Sequence, residues 1–154
     1  ATGGRCSTNP LGDPIVLHDE LADRWLMSEF ATNFFRTDNH LCVYVSQAGD
    51  PIVGGWFFYD FPVADFPDYP KYAVWPDVYY VSSNEASPAA YAIDRIRMLK
   101  GAPASYQRFT APSLNGFGFQ ALTPSDLDEG TPPPPGSPTQ PWIFWMFLRL
   151  MWTL

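Results

Sequence analysis

At 154 residues the chain is long enough for one domain with a substantial core. Aromatics are 17% of it and charged residues only 16%, beside 17 prolines and 11 glycines. That mixture is too aromatic for disorder and too turn-rich for a helical bundle, so an all-β fold is expected. The net charge of −7, with no basic cluster, argues against nucleic acid and anionic membrane surfaces, which call for Lys and Arg against phosphate.

The N-terminal segment holds Cys6, and the other cysteine is Cys42. With no CxxC and only two histidines, a structural zinc site is not expected. The chain starts at Ala1 rather than Met, as a processed export signal or a trimmed chain would leave it. Secretion or a periplasmic location follows, and with it a Cys6–Cys42 disulfide closing a loop that contributes roughly 4 kcal/mol. Two free buried thiols are the alternative.

Strand-like runs follow in order: "IVLHD" (15–19), "RWLMSEFA" (24–31), "LCVYVSQ" (41–47) and "WFFYDF" (56–61), separated by Asp, Gly, Pro and Asn. A second set repeats the pattern: "KYAVWPD" (71–77), "VYYVSSNE" (78–85), "AYAIDRIRML" (90–99) and "SYQRFT" (105–110). Trp25 aligns with Tyr79, Ser28 with Ser82, and the "GDP" at Gly49 with the "GAP" at Gly101, a period of about 53 residues. Four strands per period is the blade of a β-propeller. Two blades are therefore expected, over about 12–62 and 68–111, within a β domain of residues 1–130. The string "GDPIV" also occurs twice, from Gly12 and from Gly49. Its first copy enters the inner strand of a blade and its second sits at a turn, each with Asp-Pro shaping a turn and Ile-Val beginning a strand.

A third unit starts at "NGFGFQAL" (115–122) and is not completed. "TPPPPGSPTQP" (131–141) reads as an extended linker, and 142–154 as a hydrophobic, aromatic tail with Arg149 its only charge. Two blades cannot close a ring. Homo-oligomerisation through exposed blade faces and the tail is expected, on the reasoning that apolar faces and edges must be covered.

"GDPIVLHDELADRWLMSEFA", "CVYVSQAGDP" and "DYPKYAVWPDVYYVSSNE" resemble a large group of secreted, propeller-like bacterial proteins whose activity is not settled. The resemblance covers about 3–138. It implies a propeller fold and an extracellular setting. Such proteins continue after "PPPPGSP" into another polar blade. The apolar tail departs from that pattern, as a shifted reading frame would produce, leaving a truncated structural fragment of a larger propeller. More distantly, "DPIVLHDELADRWLMS" is similar to the first blade of five-bladed glycoside hydrolases.

Carboxylates are the group abundant enough to build a site. A glycoside hydrolase needs a pair, with Asp13 as base by that resemblance and Glu85 or Asp77 as acid. Asp13 and Asp68 beside prolines are equally read as turn formers. Calcium is the one cofactor considered, through Asp13, Asp19, Asp68 and Asp77, although no EF-hand spacing is present. Trp25, Trp75, Tyr79 and Tyr80 could stack on the sugar rings of a polysaccharide or small-molecule ligand, against the competing reading that they fill the core. His18 and His40 lack a GxSxG partner and read as hydrogen-bonded structural residues. The leading function is an extracellular glycan-directed binding module of β-propeller type, with the glycoside hydrolase second.

Overall fold

The computed structural model describes residues 4–113, 122–126 and 146–147. Two four-stranded antiparallel sheets dominate it. The first contains β1 (Pro10–Asp19), β2 (Arg24–Ala31), β3 (Asn39–Ser46) and β4 (Trp56–Val63) in sequential order. The second contains β5 (Asp68–Val74), β6 (Val78–Asn84), β7 (Ala89–Asp94) and β8 (Tyr106–Thr110), again in sequential order. Two short helices punctuate them, α1 (Arg5–Thr8) and α2 (Arg95–Met98). A two-residue pair, β9 (Leu122–Thr123) with β10 (Met146–Phe147), forms a third sheet.

The repeat is visible in the register. Ser28 stands opposite Ile15 and Val43 in the first sheet, and Ser82 opposite Lys71 and Ala90 in the second. "GDP" and "GAP" both lie in the connection between the third and fourth strands.

Alternating side chains bury one face of each sheet against the other. Leu26, Leu41, Val43, Val45 and Phe61 of the first sheet meet Val74, Tyr79, Val81, Tyr91 and Ile93 of the second in one core. Sheet two is covered on its other face as well, where Tyr80 and Ser82 are buried and Ser82 Oγ donates to Leu122 O. The strand β6 is thus covered on both sides, whereas Phe109 of β8 stays 50% exposed on that second face and the far face of sheet one is open in part.

Three local expectations change. The run Ala90–Leu99 is a strand only to Asp94, because the Asp94 carboxylate accepts from Arg97 N at 3.0 Å and caps α2. The first "GDPIV" lies inside β1 at a bulge, with Gly12 at φ 116° and Asp13 at φ 51° and the register shifting on to Ile15. The second does not begin a strand. Asp50 Oδ1 accepts from Ile52 N at 2.8 Å, turning the chain so that Ile52 and Val53 are exposed and β4 starts only at Trp56.

The Pro-rich segment 131–141, most of "NGFGFQAL" and the tail apart from Met146–Phe147 lie outside the described residues. No described helix is long and apolar enough to cross a membrane.

Candidate binding face

Three polar clusters fix the geometry around which any site is built. At the end of β1, Asp19 is wholly buried and accepts from Arg95 Nε at 2.7 Å and Nη2 at 2.9 Å, from Tyr79 OH at 2.7 Å, and from Ala22 N at 3.1 Å. Arg95 completes its fork on Pro76 O at 2.8 Å. This bidentate pair joins the two sheets. Burial works against the Arg95 charge, but the Asp19 bonds outweigh it and raise the guanidinium's pKa; burial, then the Asp19 charge, push the Tyr79 phenol up.

A second cluster closes the opposite end. Glu85, its side chain fully buried, accepts from Arg108, Tyr91 OH and Ser83 Oγ, while Arg108 also reaches Asp65 at 2.9 Å. The third cluster lies on the far face of sheet one. Cys6 and Cys42 form a disulfide that pins α1 across β3. Beside it both ring nitrogens of His40 bond carboxylates, Nδ1 to Asp60 and Nε2 to Asp38 at 2.9 Å. Arg5 Nε donates to Asp38 at 2.6 Å, and Cys6 N to Asp60 at 3.2 Å.

The His40 bond, followed by that of Arg5, lowers the Asp38 carboxyl pKa below its ordinary 3.8. A lowered folded-state value stabilises the protein above the unfolded value and is lost as pH falls through the folded one. Asp38→Asn is therefore expected to melt below the parent near neutral pH and to converge with it as the pH falls below the ordinary carboxylate range. Melting curves of both proteins across that range check this, and parallel curves would refute it.

α1 and the disulfide cover only half of the far face. On the open half, directly opposed residues make a row across all four strands: Val16, Met27, Tyr44 and Phe58. Val16 is 58% and Phe58 50% exposed, with the Tyr44 and Phe58 rings edge-to-face at 5.4 Å. The adjoining row brings His18 against Trp25, ring centroids 5.0 Å apart, with Trp25 Nε1 fixed on Gly49 O at 3.1 Å. Tyr44 OH donates to Glu29 at 2.6 Å, and burial, then that bond, raise the phenol's pKa. The face therefore combines fixed aromatic rings with a carboxylate and an imidazole at the margin.

Of the four aromatic residues singled out from sequence as ligand-stacking candidates, only Trp25 belongs to this face. Tyr79 and Tyr80 are buried, and burial followed by the Asp77 charge pushes Tyr80 up to about 12. Trp75 is half-buried and donates from Nε1 to Ser125 O at 2.8 Å, tying sheet two to the segment beyond it. The two candidate acids, Asp77 and Glu85, are not brought together. They flank opposite ends of the seven-residue β6, about 20 Å or more apart, so Asp13 could pair with only one of them across the roughly 5–9.5 Å a glycosidase pair requires. Asp13 sits exposed at its bulge, and Glu85 accepts hydrogen bonds from Arg108, Tyr91 OH and Ser83 Oγ.

The calcium set is not assembled either. Asp19 is committed to Arg95 and Tyr79, Asp68 opens β5 opposite Asn84, and Asp13 and Asp77 are exposed at separate turns. Among the described residues no group of three or more His, Cys, Asp or Glu is arranged to hold a metal ion. The open row and the ion pairs were not foreseen from sequence. The alternation in "RWLMSEFA", with Trp25, Met27 and Glu29 on one side and Leu26, Ser28 and Phe30 on the other, is the signal for the row.

Neither a protein-family model, nor a curated protein, nor a solved structure matches the chain.

Proposed function

We propose that the chain is an extracellular, glycan-directed binding module of propeller type, and that it binds rather than turns over its ligand. The observation that carries this reading is the open half-face of sheet one, where Trp25, Tyr44 and Phe58 stand on one side of a rigid sheet beside Glu29 and His18. Aromatic faces stack on the apolar faces of sugar rings, and neighbouring polar groups orient their hydroxyls. The sequential four-strand order of both sheets supports the propeller-type architecture, and the disulfide supports an oxidising, secreted or periplasmic setting.

Affinity electrophoresis against neutral polysaccharides (cellulose, chitin and xylan) tests the reading. Retardation by at least one is expected, with Trp25→Ala and Phe58→Ala each weakening binding about tenfold, or roughly 1.4 kcal/mol. Asp13→Asn should bind as the parent does. No retardation on any of the three, or release of reducing sugar by the parent, would count against it. The row from Val16 to Phe58 favours a second reading, in which this face packs on another copy of the chain. Light scattering separates the two: Phe58→Asp would then dissociate an assembly, whereas a glycan-binding monomer keeps its mass.

A further inference from the structure

The outer edge of the first sheet carries a feature that the glycan face does not use. β4 ends the sheet, and among the described residues no backbone group pairs with its outer side. In an antiparallel strand the N–H and C=O of one residue point the same way, and neighbouring residues alternate. Gln47 Nε2 donates to Trp56 O at 3.3 Å, and Tyr106 OH donates to Pro62 O. Tyr106 lies across the edge from β3, so Pro62 and its alternates are the outward-facing set. A proline there loses an N–H that no ladder uses, which is where an edge strand tolerates one. Phe58 and Asp60, between those two capped ends, therefore present outward N–H and C=O groups about 7 Å apart along the strand.

That edge is one wall of a groove of about 630 Å³. The other wall is the chain from Gly101 to Tyr106, leading into β8. Its position is set by Tyr59 OH, placed at 3.1 Å from Met98 O and 3.2 Å from Ala102 O. Gly101 fixes the approach: at φ 64° its added Cβ would lie 2.3 Å from the Phe57 ring, so only glycine lets the wall come this near. Phe57, Phe61, Ala102 and Ala104 line the groove, and Asp60 is its only ionisable side chain apart from tyrosines.

We infer that this groove binds an extended, non-acidic polypeptide segment of another protein, which adds to the first sheet as a fifth strand. A free strand edge calls for backbone donors and acceptors repeating at the strand spacing, and polypeptide supplies them where a saccharide does not. β4 contributes six consecutive residues, Phe57–Pro62, or roughly 20 Å of strand, enough for a segment of five or six residues. Alanines and aromatic rings accept small or aliphatic side chains from the face turned inward. The net charge of −7 repels an acidic segment and favours a basic one.

Fluorescence anisotropy with labelled Lys-Val-Ala-Val-Ala-Lys tests this directly, alongside the same peptide with Glu at both ends and two versions N-methylated on either alternate set of amides. The basic peptide is expected to bind at submillimolar concentration and the acidic one at least tenfold more weakly. One N-methylated set should lose binding tenfold or more while the other retains it, because only one set faces the edge. Ser105→Trp, at an exposed position in the wall, should abolish binding without lowering the melting temperature. Trp25→Ala, outside the groove lining, should bind peptide within threefold of the parent, so this inference and the glycan reading fail separately. Equal tolerance of both N-methylated sets, or no binding by any of the peptides at millimolar concentration, would overturn it.

Discussion

Arg95→Ala is expected to lower stability by about 3–5 kcal/mol, the largest effect of any single side chain outside the apolar core. The substitution strands the Asp19 carboxylate at 0% exposure with only Tyr79 OH and Ala22 N as donors. An uncompensated buried charge costs far more than the pair itself contributes, since the intact pair has already offset its own desolvation. For a domain of this size the melting temperature should fall by roughly 10 °C or more. Asp19→Asn should act in the same direction by leaving Arg95 charged and half-served. The double variant Asp19→Leu/Arg95→Met should be markedly more stable than the two single losses added together, because neither charge then remains. Chemical denaturation of the four proteins checks this. Additive losses would mean that the sheets are not joined through this pair.

Removing the disulfide should rank next. The two cysteines are 36 residues apart, and a closed loop of that length restricts the unfolded chain enough to contribute about 4 kcal/mol. Cys6→Ala/Cys42→Ala is expected to lose approximately that amount, as is the parent in reductant. The loss should be local as well as global. α1 is four residues long with none buried, so the disulfide and the contacts of Arg5 and Cys6 N with Asp38 and Asp60 hold it down. Hydrogen exchange in the double variant should therefore accelerate first in Gly4–Asn9 and around His40. A melting temperature unchanged by reductant, together with unchanged exchange at α1, would show that the segment is held by something else.

The two predictions concern opposite sides of the same sheet, and they explain how the candidate face stays open. The Asp19–Arg95 pair and the shared core fix one side of sheet one against sheet two. The disulfide holds α1 against the other side, leaving Val16 and Phe58 exposed at the two ends of a row that the half-buried Met27 and Tyr44 complete. A ligand meeting that row finds rings already set in place by the sheet register, so little ordering entropy opposes binding.

The β class, the eight principal strands and their division into two sets of four are legible in the amino-acid order. Those features are local: period-two alternation, β-branched and aromatic runs, and Gly, Pro and Asp at the turns specify strands and their ends within a few residues. The "RWLMSEFA" strand, Arg24–Ala31, has the same limits in the sequence and in the fold. The Cys6–Cys42 bond was also legible, because only two cysteines exist to pair.

Which polar residues meet, and which faces remain open, follows from packing between distant parts of the chain. Asp19 and Arg95 are 76 residues apart, and nothing in the chain around either names the other. Glu85 reads in the sequence as a candidate acid, and nothing around it names Arg108, Tyr91 or Ser83, which enclose it in the fold. Tyr79 and Tyr80 read in the sequence either as ring-stacking residues or as core, and both are buried, because both faces of β6 are covered. Alternation tells a strand that it has two sides. How many of those sides are buried depends on the layers that pack around it, and that is a property of the assembled fold alone.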